Sequence, residues 1–430
     1  MNIKLEKIKA LFFKEREAFI KECDIYIKDD KILSIDKEPE NYIADKIIKG
    51  TKKIVIPGLI NTHTHSYMSI FRNIADDLSF SDWLFGRISP LEDKLTPDDM
   101  YWGAMLAAIE MIKTGTTCFV DMNMSMESVM KAVTDSGLRA VLSRGLVGEG
   151  KNEGGRIRLE ENLNAFKSCK NDNISFLLGP HAPYTCDREY LKIVKETAKE
   201  YGLGLTIHLS ESLTEIENVK NQHGMSPIEL MDSIGLFEIP TIAAHCVHLS
   251  DNDISILKEK NVSVATNPKS NLKLANGSAP LVKMQDMGVN ITIGTDSAAS
   301  NNTLNMFSEM NYTSLLHKGI SHNPTVISAS DTLSFATKNA ALAIGNKQVG
   351  EIKEGLKADL TILDIDCPQF YPENNLVAAL VYSANGSEVD TVIVNGKILM
   401  EKKQIKTIDT EKVYSECEKI IERIDRWWVK

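Results

Sequence analysis

The sequence lacks the patterns that thiol chemistry requires. Its 430 residues include seven cysteines, an odd number, and no two of them form a Cys-x-x-Cys motif. This usage argues against a disulfide framework and against a zinc site built from thiolates. It favours a reducing compartment, and we expect a cytoplasmic protein.

Long apolar runs and an excess of positive charge are missing as well. No apolar run approaches the roughly 18 residues of a membrane helix, and the charged start MNIKLEKIKALFFKE is unlike a signal peptide. Because the net charge is −10, we expect neither nucleic acid nor an acidic membrane as a partner. An apolar content of 43% is ordinary for a globular protein.

From residue 54 onward the chain alternates regularly between apolar strands and amphipathic helices. The strand candidates are 54–62, 116–122, 138–146, 174–180, 203–209, 240–246, 262–266 and 289–295. The segment 96–114 opens with Thr-Pro-Asp-Asp, a favourable helix start. Eight such repeats predict an α/β fold, a (β/α)8 TIM-like barrel. A doubly wound open sheet also alternates, but it would not need polar residues at the ends of so many strands.

Both ends of the chain have a different pattern, that of short strands with tight turns such as Asn395-Gly396. We therefore predict that residues 1–56 and 346–430 combine into one small β-sandwich domain. Residues 57–345 are expected to form the barrel. An amphipathic helix over about 410–428 is expected to end the chain.

Residues of ligand and proton-transfer type stand at the carboxyl ends of the predicted strands, where barrel enzymes place their active sites. These residues are His63, His65, Asp121, Arg144, His181, His208, Glu211, His245, Asn267 and Asp296. Five of the nine histidines in the chain are among them. Such a concentration predicts a single site at that end of the barrel.

A metal site is the first interpretation of this concentration. His63 and His65 are two residues apart on one strand, so both imidazoles lie on the same face. With His208 and Asp296 they give three imidazoles and one carboxylate, a set suited to zinc or ferrous iron with a position left for water. Each residue alone has a structural alternative, a hydrogen-bonded core histidine or an N-cap aspartate, but the combination favours a metal.

Two further residues are candidates for proton transfer. Glu211 follows His208 by three residues and is a candidate proton carrier, although a glutamate in a first helical turn is also favoured by the helix dipole alone. His245 is assigned to the site, hydrogen-bonded to metal-bound water. His248 cannot share its face and is assigned a structural role.

Nine segments resemble the amidohydrolase superfamily and, within it, the 5′-methylthioadenosine/S-adenosylhomocysteine deaminases. They are PGLINTHTHSYMSIFRNIADD, SPLEDKLTPDD, GTTCFVDM, SRGLVG, GPHAPYTC, HLSES, HCVHL, TNPKSNLKLANGSAP and GTDSAASNN. The resemblance implies one divalent metal per subunit, Zn2+ in first place and Fe2+ as the alternative. Its implied ligands are His63, His65, His208 and Asp296.

The resemblance also implies substrate contacts. Glu92 would bind the ribose hydroxyls, His181 would contact the nucleoside, and Arg144 and Arg156 would meet the polar end of the 5′ substituent. From the residues alone, a surface helix cap is the better explanation of Glu92, and a solvated loop charge is the better explanation of Arg156. For Trp83 and the methionines Met122, Met124 and Met126 we favour a role in core packing, with the wall of the adenine or thioether pocket as the alternative.

The expected activity is hydrolytic deamination of adenine nucleosides by a metal-activated hydroxide, with Glu211, His245 and Asp296 as catalytic residues. Glu211 and Asp296 would also contact the substrate. The substrates would be S-adenosylhomocysteine, 5′-methylthioadenosine, 5′-deoxyadenosine or adenosine, and the protein is expected to form a homo-oligomer. One alternative is a related amidohydrolase that acts on a free base or a triazine ring. Another is a barrel with no catalytic role.

Overall fold

The computed structural model describes residues 1–425 of the chain. Within this range the strands are β1 (Asn2–Lys14), β2 (Glu17–Lys28), β3 (Lys31–Ile35), β4 (Lys46–Lys49), β5 (Lys53–Pro57), β6 (Leu59–Thr64), β7 (Thr116–Asn123), β8 (Arg139–Leu146), β9 (Ile174–Pro180), β10 (Gly204–Leu209), β11 (Thr241–His245), β12 (Ser263–Thr266), β13 (Asn290–Ile293), β14 (Leu360–Asp364), β15 (Val389–Val394), β16 (Lys397–Glu401) and β17 (Gln404–Ile405).

The α-helices of the same range are α1 (Ser89–Glu92), α2 (Pro97–Lys113), α3 (Met126–Ser136), α4 (Glu153–Ser168), α5 (Arg188–Tyr201), α6 (Leu213–His223), α7 (Pro227–Ser233), α8 (Asp251–Glu259), α9 (Pro268–Lys273), α10 (Leu281–Met287), α11 (Ala298–Asn301), α12 (Met306–Ile320), α13 (Ala329–Phe335), α14 (Lys338–Ala343), α15 (Leu376–Tyr382) and α16 (Thr410–Asp425). A π-helical turn, Asp82–Ile88, precedes α1. Among residues 1–425, no helix has the length and apolar character needed to cross a membrane.

Strands β6 to β13 form a parallel sheet in sequential order, and its last strand returns to its first. The main-chain N–H of Asp296 donates to the carbonyl of His63 across this junction, at 2.9 Å. Gly294 permits the approach, because a Cβ there would lie 2.8 Å from the main-chain nitrogen of His63. The predicted (β/α)8 barrel is confirmed.

The strands at the two ends of the chain form a second, separate sheet of mixed direction. Its order is β17-β16-β15-β14-β5-β1-β2-β3, and β4 also pairs with β1. One continuous nine-stranded sheet therefore occupies the position for which the sequence predicts a β-sandwich domain. Our domain division remains a proposal. Its first limit, between residues 56 and 57, falls before the last residue of β5, and its second, after residue 345, lies beyond the end of α14.

The prediction of one strand over 54–62 is wrong, because the structure contains two strands there in different sheets. The break is at Gly58, between β5 and β6. A Cβ at this position would lie 2.1 Å from Oγ1 of Thr117, so the chain can bend tightly against β7 only with glycine. The N–H of Gly58 donates to the carbonyl of Asp359 at 2.9 Å. This turn joins the two sheets and directs β6 into the barrel.

Local sequence signals set the ends of the helices. Thr96 caps α2 through a reciprocal capping box with Asp99, and Pro97 occupies the first turn, as the sequence predicts. The C-terminal helix begins at Thr410 as expected and runs to Asp425. The last part of its predicted range, residues 426–428, lies outside the described residues.

Candidate active site

The four predicted metal ligands lie together at the carboxyl ends of the barrel strands. His63 is near the end of β6 and His65 directly follows that strand, His208 is on β10, and Asp296 follows β13. The Nε2 atoms of His65 and His208 are 3.3 Å apart. The Asp296 carboxylate atom Oδ1 is 3.6 Å from Nε2 of both His63 and His65. Ligand atoms from opposite sides of the barrel therefore converge on one point, forming a group able to hold a metal.

Hydrogen bonds set these imidazoles in the form that binds a metal. Nδ1 of His65 donates to the carbonyl of Met122 at 2.8 Å, and Nδ1 of His208 donates to the carbonyl of His181 at 2.6 Å. The Nε2 lone pairs of His65 and His208 are then directed at each other, and Nε2 of His63 is buried without a hydrogen-bond partner. Burial lowers the pKa of His63 to about 4 and that of His208 well below its usual value. Neutral imidazoles in this arrangement fit a shared cation.

The Asp296 carboxylate is held by a separate set of donors. The hydroxyls of Ser270 and Ser300 donate to Oδ2 at 2.6 and 2.7 Å. The N–H of Ser297 donates to Oδ1 at 2.7 Å, and this oxygen also faces the histidines. Burial tends to raise the pKa of Asp296, but His63 and the neighbouring imidazoles hold it well below its usual value. The carboxylate is therefore ionised, with one oxygen directed at the metal group.

Glu211 and His245 lie side by side in the same site. The Oε1 atom of Glu211 is 3.8 Å from Nδ1 of His245, and it accepts a hydrogen bond from the Asn276 amide at 3.0 Å. Burial raises the pKa of Glu211. Burial tends to lower the pKa of His245, but the carboxylates of Glu211 and Asp296 raise it overall. Asn271 accepts from Nδ1 of His245 at 2.8 Å, which leaves Nε2 of the imidazole for the site.

The main chain is strained where these side chains leave their strands. Ser210, His245, Cys246 and Asp296 have φ angles of +53°, +70°, +49° and +62°. Non-glycine residues rarely adopt positive φ, and such conformations persist only where the surroundings impose them. The strain marks three of the barrel strands that carry the site, β10, β11 and β13.

A cavity of about 260 Å³ opens from the metal group. Eight residues predicted for the site line it: His65, Glu92, Arg144, His181, His208, Glu211, His245 and Asp296. His63 is not on the cavity wall and is only 1% exposed. The barrel thus places the predicted catalytic residues and most of the predicted substrate contacts around one cavity.

The two predicted nucleoside contacts have well-defined partners. The hydroxyl of Tyr67 donates to Glu92, which is partly buried at the end of α1. The hydroxyl of Thr185 donates to the carbonyl of Ala182 at 3.2 Å, so it accepts from Nδ1 of His181 at 3.0 Å. The remaining His181 nitrogen, Nε2, is therefore a hydrogen-bond acceptor. Burial lowers the pKa of His181 to about 4, which keeps the ring neutral.

The arginines differ from the prediction in one respect. Arg144 lines the cavity and forms an ion pair with Glu161 at 2.7 Å. Arg156 is absent from the cavity wall; its side chain is 58% exposed and pairs with Glu160 at 2.6 Å. Arg158 lines the cavity instead, with its guanidinium donating to the carbonyl of Val147 at 3.3 Å. Both Arg156 and Arg158 belong to α4, where two residues are separated by about 200° of rotation, so they face opposite directions.

Comparison with known proteins agrees with this geometry. The family model described as "Amidohydrolase family" matches residues 54–399. A 5-methylthioadenosine/S-adenosylhomocysteine deaminase of Thermoanaerobacter pseudethanolicus is 46% identical over 423 residues, which is 97% of this chain and 98% of the relative. The chain belongs to the amidohydrolase family. The resemblance inferred from the nine segments is confirmed.

Two further relatives of this amidohydrolase are similar over nearly the whole chain. A 5′-deoxyadenosine deaminase of Methanocaldococcus jannaschii is 46% identical over 407 residues, covering 94% of this chain and 96% of the relative. An adenosine deaminase of Xanthomonas campestris, crystallised with bound zinc, superposes with a TM-score of 0.94 at 27% identity. That superposition covers 99% of this chain and 98% of the other. Fold and metal group are therefore those of a metal-dependent amidohydrolase.

Several residues of the amidohydrolase site had no clear signal in the sequence. Tyr67, Tyr184 and Arg158 line or support the cavity, but tyrosines and helix-surface arginines are common elsewhere. Of the four residues considered for the pocket wall, Trp83, Met122 and Met124 line the cavity. Met126 is 5% exposed and belongs to the hydrophobic core. One sequence signal could have separated Met122 from Met126. Met122 comes directly after Asp121, which is predicted to lie at a strand end.

Proposed function

We propose that this amidohydrolase deaminates adenine nucleosides by hydrolysis, giving the inosine analogue and ammonia. The observation that carries the proposal is that the buried Glu211 carboxyl shares one cavity with His65, His208 and Asp296. The imidazole of His63, behind the cavity wall, lies within ligand distance of these three residues. The full-length relatives named as deaminases of methylthioadenosine, S-adenosylhomocysteine and 5′-deoxyadenosine support this substrate class.

His63, His65, His208 and Asp296 would hold one divalent metal, and we propose Zn2+, with Fe2+ as the alternative. The unpartnered Nε2 of His63, the facing Nε2 atoms of His65 and His208, and the ionised Asp296 carboxylate are a donor set suited to either ion. When bound, such a metal supplies the Lewis acidity that makes water a competent nucleophile near neutral pH.

The residues around the metal group divide the proton transfers between them. Glu211, whose burial favours the acid form, donates a proton to ring nitrogen N1 as water adds to C6. The Asp296 carboxylate accepts a proton from the attacking water. His245, oriented by Asn271, stabilises the oxygen on which negative charge develops. The Glu211 carboxylate then takes the proton of the new C6 hydroxyl and passes it to the amino group, which leaves as ammonia as the C6 carbonyl forms. Loss of the proton from Asp296 and reprotonation of Glu211 restore the starting state.

The rest of the cavity would hold the sugar and its substituent. Glu92 would accept hydrogen bonds from the two ribose hydroxyls, and His181 would accept one from the nucleoside. Arg144 would interact with the polar end of a 5′ substituent. Of the two arginines on α4, we now favour Arg158 over Arg156 for that end, because it lies on the cavity wall.

The test is the ultraviolet absorbance of metal-loaded protein mixed separately with S-adenosylhomocysteine, 5′-methylthioadenosine, 5′-deoxyadenosine and adenosine. Loss of the adenine band with release of ammonia is expected, and the ranking of rates gives the preferred 5′ substituent. If none of the four reacts while one metal is bound per chain, the free-base or triazine alternative replaces this proposal. If the chain binds no metal, the alternative of a barrel with no catalytic role is favoured.

The cellular setting is proposed on separate grounds. All seven cysteines are free in the structure, consistent with a reducing compartment, and we propose a cytoplasmic enzyme. The homo-oligomer stays a prediction, to be tested by light scattering of the purified protein.

A further inference from the structure

Glu215 is a buried carboxylate that the proposed reaction does not use. It lies in the first turn of α6, is only 3% exposed, and is not part of the cavity wall. Its Oε1 accepts the main-chain N–H of Ser210 at 2.8 Å, and its Oε2 accepts that of Glu211 at 2.9 Å. Both carboxylate oxygens therefore bind the short segment that joins β10 to α6.

This segment is also connected to the neighbouring strand end. The carbonyl of Ser210 accepts the N–H groups of Val247 and His248 at 2.9 and 3.0 Å. These residues are two and three positions after His245, and both Ser210 and His245 have positive φ. Strained conformations need support from their surroundings. The hydrogen bonds of Ser210 connect the end of β10 to the end of β11, so the geometry of both strand ends depends on them.

Ordinary helix capping does not account for this arrangement. A first-turn glutamate gains from the helix dipole while its carboxylate remains in water. Glu215 is instead withdrawn from water, which is costly for a carboxylate unless its hydrogen bonds are well made. The bonds it makes are to the peptides that carry Glu211 and contact the His245 turn.

We propose that Glu215 is a positioning residue, which fixes the Ser210–Glu211 main chain and so orients the Glu211 carboxyl and the His245 imidazole in the cavity. It acts through these residues and does not touch the substrate. The inference rests on the proposed function for the roles of Glu211 and His245, but the fixing of the main chain does not depend on it.

The test is Glu215→Gln, which keeps the size of the side chain but has a single acceptor oxygen for two N–H groups. Glu309→Gln is the matched control. Glu309 is 0% exposed, and its two oxygens accept from Asn301 at 2.8 Å and from the N–H of Lys269 at 3.4 Å. Neither of these partners lines the cavity.

For Glu215→Gln we expect kcat on the best nucleoside to fall by about 10- to 100-fold, the usual effect of losing an orienting partner. KM and the metal content should change little. Hydrogen exchange of the main chain at Ser210 and Glu211 should become faster, a measurement that needs no substrate. Glu309→Gln should keep its kcat and its exchange rate at this segment.

A wild-type kcat in Glu215→Gln, even with a lower Tm, would overturn the proposal, because the role would then be structural only. Parallel loss of metal and kcat would also overturn the proposal, since Glu215 would then support metal binding through His208 rather than the orientation of Glu211 and His245. If Glu215→Gln does not fold, Glu215→Asp is used; it keeps the charge but shortens the reach, and the same losses are expected. If the wild type deaminates no nucleoside, the proposed function fails, while unchanged exchange in the variant would separately refute the positioning role.

Discussion

The replacement Glu211→Gln isolates proton transfer from every other property of the site. Glu211 is 6% exposed and accepts a hydrogen bond from Asn276 at 3.0 Å. A glutamine has the same volume, and its amide oxygen can keep this bond. The change therefore removes the exchangeable carboxyl proton while it leaves the packing, the metal group and the cavity shape intact.

The size of the loss follows from the chemistry that is removed. General acid catalysis contributes about 10²- to 10⁴-fold to a rate, which corresponds to about 2.7 to 5.4 kcal/mol in the activation free energy. Glu211 lies beside His245 in a buried site, where the proton has no bulk water to replace it. We therefore expect kcat to fall by at least about a hundredfold, with metal content unchanged.

The assay is steady-state deamination followed by ultraviolet absorbance, together with metal analysis of the same samples. The control is Glu217→Gln, an exposed glutamate on α6, the helix that follows Glu211, which is not part of the cavity wall. It should retain the wild-type kcat. A near-normal kcat in Glu211→Gln would refute the reasoning and remove Glu211 from the proton transfers.

Three further outcomes follow from the structure. Arg158→Ala should lower kcat/KM for S-adenosylhomocysteine by about 10- to 100-fold, the contribution of a charged hydrogen bond, with little effect on adenosine. Arg156→Ala should not change the ratio of kcat/KM for these two substrates. Equal losses for both substrates in Arg158→Ala would contradict this assignment. Asp359→Asn breaks the buried ion pair with Arg139, joined at 2.7 and 3.1 Å, and should lower the free energy of unfolding by about 3–5 kcal/mol. An unchanged midpoint of unfolding in urea would contradict this expectation. Removal of the metal by chelation should lower Tm, since a ligand at a hundred times its Kd contributes about 2.7 kcal/mol; a Tm that does not respond to added zinc would count against the metal group.

Much of the site could be predicted because its residue types occur at regular points of a regular pattern. The carboxyl ends of parallel strands meet at one end of a barrel, so His63, His208 and Asp296 are brought together whatever the loops between them do. His245 ends β11 and lines the same cavity for the same reason. The position of each of these residues is set by its strand, and the apolar pattern of this sequence predicts the strands most directly.

The predictions that failed depended on the path of the main chain between elements. The strand predicted over 54–62 reads as one apolar run, yet the chain changes sheets at Gly58 because β5 pairs with β14, some 300 residues later in the sequence. Pairing at that distance has no local signal. A periodic pattern identifies a strand, but it does not identify the sheet to which the strand belongs.

The sequence by itself determined the barrel, the metal group and the family, because alternating apolar segments and the motifs at their ends are local properties of the chain. The tertiary structure alone decided which arginine faces the cavity, since Arg156 and Arg158 differ only in their rotation around α4. It also decided which nitrogen of His65 and of His208 carries the proton, and that the carboxylate of Glu215 is buried against the N–H groups of Ser210 and Glu211. These depend on carbonyls and N–H groups that distant strands bring within hydrogen-bonding distance, and such contacts exist only once the barrel has closed.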